Sequence, residues 1–90
     1  DIIVEGHTDS ISYNRGQLKD NWDLSVMRST SVIKIMLQNK LLKPNQLTAA
    51  GKAEFVPISS NNTSEGRSAN RRIEMILSPN LDDLFDLLSE

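Results

Sequence analysis

The sequence predicts an α+β domain built on one βαβ unit. Three observations carry this: a β-branched run, Ile2-Ile3-Val4, opens the chain; apolar residues at Leu24, Met27, Val32, Ile35 and Met36 recur at helical spacing; and Ile73-Glu74-Met75-Ile76-Leu77 alternates as a strand does.

Each element follows in chain order. Ile2 to Asp9 reads as a strand running from core to surface, with the polar group Gly6-His7-Thr8-Asp9 at its end. Alternation places Glu5, His7 and Asp9 on one face and Val4 and Thr8 on the other, so His7 and Asp9 are expected in a common cleft. Ser10 to Asp20 is a polar loop. A helix should start near Asn21 or Asp23, either of which can cap N–H groups, and end near Asn39 ahead of Pro44. Arg28 then lies beside the core-facing stripe, where a guanidinium needs an anionic partner: Asp9, Asp23 or a ligand carboxylate. Trp22 reads as a partly buried anchor at the helix start.

Leu47 to Gly51 reads as a second strand, giving a right-handed βαβ unit with parallel strands. Ser64 to Asn70 is a short helical turn capped by Ser64 or Thr63, and Pro79 ends the third strand. Leu81, Leu84, Phe85 and Leu88 fall at i, i+3, i+4 and i+7, a short amphipathic helix after the cap Asn80. Residues 1–79 therefore form one domain and residues 80–90 an appended helix, which covers the domain's own sheet or docks on another chain.

Ninety residues with twelve acidic and ten basic side chains give a net charge of −2, against the strongly basic surface of a general nucleic-acid binder. The absence of cysteine excludes a disulfide framework and a thiolate nucleophile or metal site. One histidine is too few for an ordinary zinc site, so no metal and no cofactor is expected. The serines lack a Gly-x-Ser-x-Gly elbow and the four glycines are scattered, so neither triad chemistry nor a phosphate loop is marked out. A hydrolase using His7 and Asp9 is the least favoured class. Gly66 to Arg72 is the densest basic patch, and its arginines are expected to pair with acidic residues and fix the loop and strand. No run is apolar enough to span a bilayer, and Asp1 leads at once into a strand, as in a piece of a longer protein.

Taken together, Gly6-His7-Thr8-Asp9, Asn21-x-x-Leu24-Ser25-x-x-Arg28 and Gly66-Arg67-x-x-Asn70-Arg71-Arg72-Ile73-Glu74 resemble the OmpA-like peptidoglycan-binding domain over about Ile2 to Leu77. The wording around Asn21 to Ser25 and Thr63 to Arg67 is most similar to the family's MotB-type branch. The resemblance implies a sandwich of helices on a small mixed sheet, here without the family's first strand and helix. That leaves an exposed sheet edge, to be completed by the C-terminal helix or a neighbouring chain. It implies noncatalytic, noncovalent binding of the peptidoglycan stem peptide through diaminopimelate, anchoring a larger envelope protein in the periplasm, with the membrane reached only through segments outside this chain. By position, Asp9 matches the acid that holds the ligand's ammonium and Arg28 the arginine that holds its carboxylate. Asn21 and Leu24 match pocket-lining residues, with Thr8, Ser25 and Arg72 in support. The start of the helix would add N–H donors for that carboxylate. Two departures stand out: Ser29 replaces a frequent alanine, and the loop from Ser10 to Asp20 is longer than in the shortest members. The alternative function is an assembly module of an envelope machine such as a flagellar stator, with a homodimer as its simplest form.

Overall fold

A computed structural model of the chain describes residues 1–40, 42–77 and 88. Strand β1 (Ile2–His7) is followed by helix α1 (Asn21–Gln38), strand β2 (Leu47–Gly51), helix α2 (Ser64–Asn70) and strand β3 (Arg72–Leu77), with a single 3₁₀ turn over Pro44–Gln46 ahead of β2. The sheet order is β2-β1-β3. β1 pairs parallel with β2, from Ile2 opposite Leu47 to Gly6 opposite Gly51, and antiparallel with β3, from Ile2 opposite Leu77 to His7 opposite Arg72. The expected βαβ pairing and the mixed sheet are both present. The predicted helix after Asn80 lies outside the described residues.

The helix meets the sheet through small residues rather than through the apolar stripe. The buried residues of α1 are Asn21, Ser25 and Ser29, one per turn, whereas Met27 and Ile35 are exposed. The expectation of an inward Leu24-Met27-Val32-Ile35-Met36 face is corrected by about a fifth of a turn. The reason lies in β1 and β2. A Cβ at Gly6 would stand 2.0 Å from the carbonyl oxygen of Ser25, and one at Gly51 would stand 2.4 Å from Ser25 Oγ. Two glycines facing one serine let the helix axis approach closer than any large side chain allows. Both hydroxyls are satisfied inside that contact: Ser25 Oγ donates to the Trp22 carbonyl and accepts from Ala53 N–H, and Ser29 Oγ donates to the Val26 carbonyl. Ser29 can stand for alanine because it is small and its hydroxyl is absorbed by its own helix.

Asp20, not Asn21 or Asp23, caps α1, accepting from Asp23 N–H at 2.9 Å. Asn21 is unavailable as a cap because its side chain is turned inward. The helix closes at Asn39, with Lys40 in the left-handed region at φ 56°. Thr63 caps α2 by accepting from Gly66 N–H at 2.9 Å. In the loop before α1, Arg15 and Leu18 exchange two backbone hydrogen bonds around Gly16 at φ 60°, a two-residue turn.

α1 packs on β1 and β2 and leaves the helix side of β3 uncovered among the described residues. Met75 and Leu77, 57% and 79% exposed, share that side of the sheet with Val4. Among the described residues Val4 and Ala53 are the fully buried apolar side chains, so polar groups supply most of the interior. None of the described helices is long and apolar enough to cross a membrane.

Candidate functional site

β1 ends at His7, and the chain then turns away from the sheet. Thr8 N–H still reaches the Ala53 carbonyl at 2.9 Å, which anchors the first residue of the turn. Asp9 Oδ1 accepts from Ile11 N–H at 3.0 Å, an aspartate turn two residues long that fixes the direction of the carboxylate. Strand alternation therefore stops before Asp9, and the expected common face for His7 and Asp9 does not form. His7 lies on the far side of the sheet, fully buried, with Nε2 2.7 Å from Glu5 Oε1 and 3.3 Å from Glu74 Oε2. Nδ1 is buried without a partner among the described residues, whereas a metal-ligating histidine ordinarily donates that second ring N–H to a neighbour. The short Glu5–His7 contact thus lies within β1, and Glu74 brings a second carboxylate from β3 to within 3.3 Å of the same nitrogen.

Asp9 instead looks into a cavity of about 240 Å³ between the turn and the first half of α1, lined by Thr8, Asp9, Ile11, Ser12, Tyr13, Leu24, Arg28 and Arg71. A hollow of that size suits the end of a flexible chain better than a drug-sized molecule. Arg28 lies two turns into α1 and is half-buried. Among the described residues it has neither an ion-pair partner nor a side-chain hydrogen bond, so of the three partners considered for it, neither Asp9 nor Asp23 is taken. Asp9 is paired with a different cation. Arg71 Nη1 donates to Asp9 Oδ2 at 2.6 Å, with the Asp9 side chain 9% exposed and that of Arg71 46%.

The site residues expected from the sequence fall into two groups. Asp9, Arg28, Leu24 and Thr8 meet in the cavity. Asn21, Ser25 and Arg72 do not line it, and each has a structural task. Asn21 Nδ2 donates to Glu54 Oε2 at 2.7 Å and to the carbonyls of Ile11 and Asp9 at 3.1 and 3.4 Å, so it pins the turn that carries Asp9 onto the helix start. Asn21 also lines the neighbouring cleft, where Trp22 is half-buried with its ring centroid 5.4 Å from that of Phe55, consistent with the expected partly buried anchor at the helix start. Ser25 is at the helix–sheet contact described above. Arg72 donates to the Val56 carbonyl at 2.9 Å and to Glu74 at 3.3 Å. The N–H groups at the start of α1 are directed at Asp20: that of Asp23 to its side chain and that of Leu24 to its carbonyl.

Arg71 also lines the cavity, although the sequence marks it only as part of the basic patch. The register would have found it. His7 stands opposite Arg72 in the antiparallel pair, so one step further along both strands brings Arg71 beside the Thr8-Asp9 corner. Asn70, the residue before Arg71, fixes the preceding loop. It is fully buried and makes four bonds, accepting from Ile58 and Ser59 N–H and donating to the Ser59 carbonyl and Asn61 Oδ1. A larger hollow of about 530 Å³ at the far end of α1 is lined by Leu37, Lys40, Leu42, Lys43, Pro44 and Gln46, with no acidic group among them.

In this small αβ domain a fixed acid and an arginine thus share one cleft, positioned by a strand end and the helix that follows. The sequence matches the OmpA family over residues 1–71, and the chain belongs to that family. It is 40% identical over 78 residues to Motility protein B of Bacillus subtilis, covering 87% of this chain and 30% of that relative. The C-terminal domain of Helicobacter pylori MotB superposes with a TM-score of 0.79 at 31% identity, over 98% of this chain and 66% of that one. The cell wall anchor of the T6SS from Pseudomonas aeruginosa superposes with a TM-score of 0.74 at 31% identity, over 82% of this chain and 51% of that one. The chain is thus an OmpA-family domain of the MotB type, and it spans about a third of the length of that Bacillus relative.

Proposed function

We propose that this domain binds the peptidoglycan stem peptide noncovalently and without catalysis, gripping the zwitterionic end of a diaminopimelate residue, and so anchors a larger envelope protein to the cell wall from the periplasm. The observation that carries the reading is the Arg28 guanidinium, unpaired among the described residues, in the same cavity as the fixed Asp9 carboxylate. A guanidinium clamps a carboxylate through two parallel hydrogen bonds, and an aspartate accepts from an ammonium, so the pair reads a zwitterion in one orientation. Charge-assisted bonds of this kind contribute roughly 1.5–3 kcal/mol each. That a T6SS relative is described as a cell wall anchor supports the assignment.

Co-sedimentation of the full-length protein with purified sacculi tests it. The parent should pellet with the cell wall, and Arg28→Ala and Asp9→Ala should each stay largely in the supernatant. Retention equal to the parent by both variants would remove the assigned site.

A second reading, an assembly module, draws on the uncovered helix side of β3, where Met75 and Leu77 are exposed next to a strand with no outer neighbour among the described residues. Sedimentation velocity decides it: a mass above the monomer that falls to the monomer in Met75→Lys supports assembly, and a monomer throughout speaks against it.

A further inference from the structure

We propose that Arg71 is an exchangeable counter-ion of the binding site, passing from Asp9 to the ligand's carboxylate on binding, so that the site selects ligands with a free carboxylate over their carboxamides. The inference rests on the zwitterion reading above and adds its specificity.

The argument starts from what an incoming ammonium meets. Asp9 Oδ2 is 2.6 Å from Arg71 Nη1, and Asp9 Oδ1 is held by Ile11 N–H at 3.0 Å. The acid is therefore already engaged at both oxygens, and a cationic group approaching it competes with Arg71. Counting the charged side chains that line the cavity, one acid, Asp9, stands against two arginines, Arg28 and Arg71. A ligand bearing an ammonium alone would bring a third cation to one anion. A ligand bearing both an ammonium and a carboxylate changes the pairing: the ammonium takes Asp9, and the carboxylate, with acceptor sites for two guanidinium groups, takes Arg28 and Arg71 together.

Arg71 is built for such a move. Its side chain is nearly half exposed and makes no hydrogen bond among the described residues besides the one to Asp9. Its neighbour Arg72 is by contrast fixed to Val56, Asn70 and Glu74. Asp9 is nine-tenths buried and fixed by its turn, so the arginine is the partner that moves. Replacing the ligand's carboxylate with a carboxamide removes the charge that would receive Arg71 and Arg28. The ammonium of the amidated ligand then has to displace Arg71 from Asp9 with no ligand carboxylate to receive the arginine.

Calorimetric titration of the full-length protein with meso-diaminopimelate and with its diamide tests this. The parent should prefer the diacid by roughly tenfold to a hundredfold, the range set by the loss of charge-assisted bonds. Arg71→Gln should weaken the diacid and tighten the diamide, because Asp9 is released, so that the preference shrinks by roughly tenfold. Arg71→Lys, which keeps the charge without the fork, should restore part of the preference. If Arg71→Gln weakens both ligands equally, Arg71 only orients Asp9 and the exchange is refuted. A preference unchanged within about twofold also refutes it. In either case the zwitterion reading survives provided that the parent binds the diacid and Arg28→Ala does not. A parent that binds neither probe overturns the exchange and the reading beneath it.

Discussion

Gly6→Ala probes the contact that sets the whole site. A methyl group there would stand 2.0 Å from the Ser25 carbonyl oxygen, 2.9 Å from its carbon and 3.3 Å from its Cα. All three are helix backbone, so no side-chain rotation relieves the clash. The helix has to retreat by about an ångström to reach even the shortest separation real Cβ atoms show, 3.0 Å. Overpacking of this sort ordinarily costs about 1–3 kcal/mol, and a backbone clash belongs at the upper end. For a domain of this size roughly 3 kcal/mol lowers the melting temperature by about 12–24 °C. The same retreat carries Leu24 and Arg28, on α1, away from Asp9, which is attached to β1. The folded fraction of the variant should accordingly bind sacculi more weakly than the parent at a temperature where both are folded. Thermal unfolding followed by circular dichroism gives the first number and co-sedimentation the second. A melting temperature within about 3 °C of the parent would mean that the helix does not rest on Gly6, and the packing argument would fail.

Other substitutions separate stability from binding. Asn70→Ala removes four hydrogen bonds and leaves two backbone N–H groups without their acceptor; a loss of about 2–4 kcal/mol is expected in urea unfolding. Asp20→Ala removes the α1 cap and should cost about 1 kcal/mol in the same assay, with sacculus binding unchanged at low temperature. Arg28→Lys keeps the positive charge but not the two-pronged geometry, and should weaken diaminopimelate by roughly tenfold in calorimetry while leaving the unfolding midpoint within experimental scatter. Asn21→Ala frees the carbonyls of Asp9 and Ile11 and should lower both stability and affinity, because its amide joins the turn to the helix.

Much of this architecture was legible in the residues themselves. β-branched and alternating runs marked β1 and β3, and Leu47 to Gly51 was read with the boundaries that β2 has. The inward face of α1 was misread because periodicity counts apolar residues, whereas here two glycines on the sheet select for small side chains opposite them. A row of Asn21, Ser25 and Ser29 carries little hydrophobic signal, and its meaning depends on Gly6 and Gly51, which are distant in sequence from part of it. His7 was placed with Asp9 because alternation was extended past the last strand residue. An aspartate turn, not a strand, sets the direction of Asp9. Arg71 was missed as a cavity residue for a different reason. Three arginines within six positions look alike in sequence, and only the β1–β3 register separates the one beside Asp9 from Arg72, which is fixed to the loop.

Backbone amide shifts recorded while diaminopimelate is added to the full-length protein bear most directly on the claim that Asp9 and Arg28 read one zwitterion. Saturable changes should gather at Thr8, Asp9, Ile11, Ser12, Leu24 and Arg28, and those at the turn should vanish in Arg28→Ala. Changes confined to Glu5, His7 and Glu74, or to the hollow between Leu37 and Gln46, would place the ligand elsewhere and contradict the account.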